Sequence, residues 1–99
     1  MSRVELYAQV HKALRYASSR VVIELGTCPG DPGAIERALR ATRELLVLQE
    51  IHQRVEDELV LPAIEARRPG AATRLVAEHA EHADADAALR GRIAVVELD

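Results

Sequence analysis

His52 and Glu56 stand four residues apart, a spacing that sets an imidazole and a carboxylate on one face of an α-helix, one turn from each other. Further along, His79 and His82 are spaced i, i+3 and His82 and Asp86 i, i+4, so three more donors would line two consecutive turns. His11 completes the histidines of the chain. Mixed nitrogen and oxygen donors without a thiolate suit iron, manganese or zinc, and carboxylates facing one another between helices suit a two-metal centre. Any one of these histidines, taken alone, reads as an ordinary core or boundary residue. A shared seam changes that reading. A buried imidazole needs partners for its ring nitrogens and a buried carboxylate needs a compensating charge. A seam that carries both, with no Lys or Arg on it, calls for a cation or a hydrogen-bond network.

Three periodic runs must position these side chains. The first, over about residues 3–25, has the stripe Val4, Tyr7, His11, Leu14, Ser18, Val21, Leu25 and stops at Gly26. Asp31 is the expected N-cap of a second helix, with Pro32 at its first position. That helix, over about 33–66, carries Ile35, Leu39, Thr42, Leu45, Leu48, His52, Val55 and Leu59 on its stripe, and Pro62 should kink it or end it early. Arg67-Arg68-Pro69-Gly70 reads as a turn. A third helix comes next, over about 71–97, with Leu75, His79, His82, Asp86, Leu89, Ile93 and Val96 in line. Every histidine thus falls on a predicted seam. Helices of about 35 to 45 Å joined by short connections pack as antiparallel neighbours, so the fold class is all-α, an up-down helical bundle.

At 99 residues the chain is read as one domain whose core is too modest to be independent of a cofactor or a second subunit. The apolar residues are mainly Ala, Leu, Val and Ile, with no Phe or Trp and only Tyr7 and Tyr16 as aromatics, which suits closely packed helices. The net charge is −3 and the arginines are interleaved with acidic residues, so nucleic acid is not expected as a partner. The single cysteine, Cys28, rules out an internal disulfide and fits a reducing interior. Without an apolar signal core or a run of about 18 apolar residues, a cytoplasmic protein with no membrane contact is expected. No nucleophile triad, phosphate-binding glycine loop or zinc-finger spacing occurs, which disfavours hydrolytic and nucleotide chemistry.

Three stretches together resemble the hemerythrin, or HHE cation-binding, family: Val10-His11-Lys12-Ala13-Leu14-Arg15, then His52-Gln53-Arg54-Val55-Glu56-Asp57-Glu58-Leu59-Val60-Leu61-Pro62, and finally Glu78-His79. The middle stretch is similar to the family's second-helix motif of His, three residues, Glu and a Leu-Phe-Pro-like element. The resemblance implies a four-helix bundle around a non-haem di-iron centre that binds or senses oxygen, nitric oxide or iron. It implies His11, His52, Glu56 and His79 as iron ligands, with Glu56 as the bridge. Two departures stand out. The family's usual second ligand on the third helix would fall at Ala83, and its fourth helix has no counterpart in these residues. His82 and Asp86 are the candidate replacements, giving six donors in all, enough for one octahedral ion but sparse for two. A homodimer would supply the remaining helical wall. The alternative is a metal-free, degenerate dimerisation or interaction domain; a redox enzyme built on the same type of site is a third reading, and a binding role is preferred to an enzymatic one.

Overall fold

The computed structural model describes residues 2–98, and leaves the side chains of Arg3, Val4 and Leu98 undescribed. The chain is all-α, with no strand among the described residues. Helix α1 spans Arg3–Thr27. Ser2 caps it: the Ser2 hydroxyl accepts from the Glu5 N–H at 3.1 Å, and the Glu5 carboxylate accepts from the Ser2 N–H at 2.7 Å. The bond from the Ser2 N–H first, and a side-chain hydrogen bond between Ser2 and the carboxylate second, hold the Glu5 carboxyl below the usual glutamate range. The helix continues through Gly26 to Thr27, whose hydroxyl donates back to the Ile23 carbonyl at 2.8 Å.

Helix α2 spans Pro32–Val55 and starts as the sequence predicts. Asp31 Oδ2 accepts from the Ala34 N–H at 3.0 Å, and Pro32 sits at a position whose N–H would have no helical partner. Pro62 acts upstream of itself. A proline has no N–H for the carbonyl four residues back and crowds it. Here the helix opens into a π turn over Glu56–Val60, in which the Leu61 N–H donates to the Glu56 carbonyl five residues back. It then resumes as α3, Leu61–Arg67. At the bend after α3, Gly70 takes φ +88°, a conformation that disfavours a side chain. The Glu65 carboxylate accepts the N–H groups of Gly70 at 2.5 Å and Ala72 at 3.1 Å. Helix α4 then spans Thr73–Leu98.

The chain divides into two compact units, Met1–Leu48 and Gln49–Asp99, with the division inside α2. In the first, α1 buries Val21 and half-buries His11, Leu14, Ala17 and Ser18. Val4, expected on this stripe, lies outside the described side chains, and Tyr7 and Leu25, expected at its ends, are exposed. On α2 the buried row is Ala34, Ala38, Thr42 and Leu46. This corrects the expected stripe: Thr42 is common to both, Leu39 and Leu45 are half-buried flanks, and Ile35 and Leu48 are exposed. A row spaced by four residues and built largely of Ala and Thr lets a neighbouring backbone come close, which bulkier Ile and Leu would prevent. The buried Thr42 hydroxyl donates to the Ala38 carbonyl at 2.8 Å.

In the second unit the π turn shifts the seam. Leu59 is 68% exposed and Val55 is also exposed, while Leu61 is buried and Val60 and Ile64 are half-buried. An extra residue in the turn rotates the helix downstream of it, so the strict helical spacing from His52 to Leu59 no longer marks one face. On α4 and the residue before it, Ala72, His79, Asp86 and Ile93 recur every seven residues and are buried or half-buried. The row three residues on, Leu75, His82, Leu89 and Val96, is exposed throughout. His82 therefore does not occupy a buried seam, contrary to the sequence expectation.

Candidate metal centre

The last turn of α2 and the first residue of the π turn present His52 and Glu56 on one side, as their spacing predicts. His52 Nε2 meets Glu56 Oε1, and the second oxygen, Oε2, lies 3.9 Å from Nε2 of His79 on α4. One carboxylate thus turns an oxygen towards each of two imidazoles. The three side chains are only 21%, 12% and 14% exposed, so their polar atoms meet one another more than water.

His79 is gripped from its other side. Its Nδ1 lies 2.6 Å from Asp57 Oδ1, and the Gln53 side-chain amide donates to the His79 carbonyl at 2.9 Å. His11 is oriented in a comparable way within α1. Its Nδ1 lies 2.8 Å from the Tyr7 carbonyl, and because a carbonyl only accepts, Nδ1 carries the proton and donates it there. The Tyr7 ring lies 4.1 Å from the His11 ring at a 59° tilt.

His52 and Glu56 each offer one ligand atom to a group that could hold a metal ion, and these atoms lie within 4.8 Å of one another. Imidazole and carboxylate donors together suit a divalent transition metal. The group does not include His79, although His79 faces Glu56. Nor does it include His82 or Asp86. His82 is exposed, with its ring 6.3 Å from that of His79. Asp86 is half-buried in a groove of about 440 Å³ that it shares with Glu50, Arg54, Asp57, Glu58 and Arg90, where both arginines pair with Glu50.

Sequence reasoning missed Gln53 and Asp57. The signal was present: they repeat the His52/Glu56 spacing one residue later and so line the adjacent edge of the same helix. Among known protein families, curated proteins and solved structures, none matches this chain. No helix among the described residues is long and apolar enough to cross a membrane.

Proposed function

We propose that this chain is a non-haem iron-binding module of hemerythrin-like type that binds or senses a small diatomic ligand, oxygen or nitric oxide, or iron itself. The observation that carries the reading is the His52/Glu56/His79 arrangement. Its donors favour iron, with manganese and zinc as competitors, and bound iron would supply an open coordination position for the diatomic. The disposition of Glu56, one oxygen towards His52 and the other towards His79, supports a carboxylate shared by two ions and hence a di-iron site. The family resemblance through His11, the His52–Pro62 stretch and Glu78-His79 supports the same assignment.

A second reading has its own support. The exposed row Leu75, Leu89 and Val96 on α4 is apolar surface of the kind that marks interaction sites, as expected of a homodimerising helical module. One experiment separates the two. Protein purified after iron-replete expression should carry about one to two irons per chain and show charge-transfer absorption that changes with azide or nitric oxide, both lost in His52→Ala. Folded but colourless, metal-free protein that sediments as a dimer would instead establish the interaction module.

A further inference from the structure

We infer that Asp57 is a positioning residue that holds His79 as an Nε2 donor beside Glu56, with Gln53 anchoring the same residue by its backbone. The inference rests on the metal-centre reading and extends it to side chains outside the ligand set. Two consecutive carboxylates take opposite edges of one imidazole: Asp57 Oδ1 is 2.6 Å from Nδ1, and Glu56 Oε2 is 3.9 Å from Nε2. An ionised carboxylate only accepts, so the short contact places the proton of the neutral ring on Nδ1 and turns the Nε2 lone pair towards Glu56. Histidines that ligate metals usually donate their other N–H to a carboxylate or a carbonyl, which fixes the tautomer and makes the free nitrogen a better donor. His11 has the same arrangement, with the Tyr7 carbonyl in place of Asp57.

Gln53 makes the grip two-point. Its amide holds the His79 carbonyl at 2.9 Å while Asp57, one turn on, holds the ring, so neither the backbone nor χ rotation is left to place Nε2. The ring is 14% exposed and Asp57 45%, which places water on the side of the orienting carboxylate and keeps it from the ligand side.

The test is nitrogen NMR of the metal-free, ¹⁵N-labelled protein at a pH where imidazole is neutral, with iron(II) and cobalt(II) titrations of the same samples. His79 should show the Nδ1–H tautomer in the wild type and move towards Nε2–H in Asp57→Leu. Gln53→Ala should leave the tautomer unchanged. Metal affinity should fall roughly 10- to 100-fold in Asp57→Leu, and by less in Asp57→Asn, which keeps an acceptor of the same shape. An Nε2–H tautomer at His79 in the wild type overturns the inference without any variant having to fold. So does a Leu variant that keeps both tautomer and affinity. If the wild type takes up neither metal, the metal-centre reading falls, while a tautomer that depends on Asp57 still supports the positioning role.

Discussion

Within Met1–Leu48 the buried row of α2 is Ala34, Ala38, Thr42 and Leu46, and its one polar atom is satisfied inside its own helix. Within Gln49–Asp99 the corresponding stretch is polar, and its bonds run from one helix to another: Gln53 and Asp57 to His79, and Glu50 to Arg90 at 3.3 Å. The contrast explains where along α2 metal-type donors can be tolerated. An imidazole set in a row of alanines would lose hydration without gaining a partner, whereas among Gln, Asp and Glu it finds one, as His79 Nδ1 does in Asp57. The first unit derives its stability from close apolar packing. The second gives up part of that packing for orientation.

Three experiments probe the contrast. The largest effect is expected from Leu46→Ala in the apolar row, where Leu46 is 2% exposed: a loss of about 2–5 kcal/mol in urea unfolding, insensitive to salt. A loss below about 1 kcal/mol would show that the row is not what holds the first unit. A smaller, pH-dependent effect belongs to Glu65. Hydrogen bonds from the Gly70 N–H, and next the Ala72 N–H, hold its carboxyl below the usual range. A lowered folded-state value gives stability that is present above the unfolded-state value and lost as pH falls through the folded one. Glu65→Gln should therefore flatten the acid limb of the stability profile, with the change in amide-exchange protection concentrated at residues 68–73; an unchanged limb would contradict the bonding at that bend. The smallest effect is expected for Glu50 and Arg90, which are 57% and 40% exposed. A double-mutant cycle with Glu50→Gln and Arg90→Met should give about 0.2–1 kcal/mol, erased by roughly 1 M salt. A larger, salt-resistant coupling would mean that this ion pair helps to hold the second unit together.

The helix starts and stops were legible because each has a local chemical cause: Asp31 and Pro32 begin α2, and Gly70 comes after α3 in a conformation that favours glycine. The His52/Glu56 pairing was legible for the same reason, being contained within one turn. Phase along the longer helices was not. Alanine reads as neutral in a hydrophobic stripe, so Ile35 and Leu48 outweighed Ala34 and Ala38, although close approach favours the small residues. Leu59 was misplaced because the effect of Pro62 appears before the proline, as a π turn that no stripe of constant period can track. His82 was drawn onto the seam because a spacing of three is as helical as one of seven. Only packing distinguishes the buried row of Ala72, His79, Asp86 and Ile93 from its exposed neighbour.

The π turn also acts as a phase adapter within one continuous rod of backbone. Upstream of it, angular position is set by the bond of Gln53 to the His79 carbonyl; downstream, by the burial of Leu61. Loss of a single residue from Asp57–Val60 would be felt less as a shortening than as a rotation of roughly 100°, since that is the turn each α-helical residue contributes. Leu61 could then stay buried only if Glu56 swung away from His79. The ligand geometry and the core on either side of the turn are therefore tied to chain length at this point, independently of which residues occupy it.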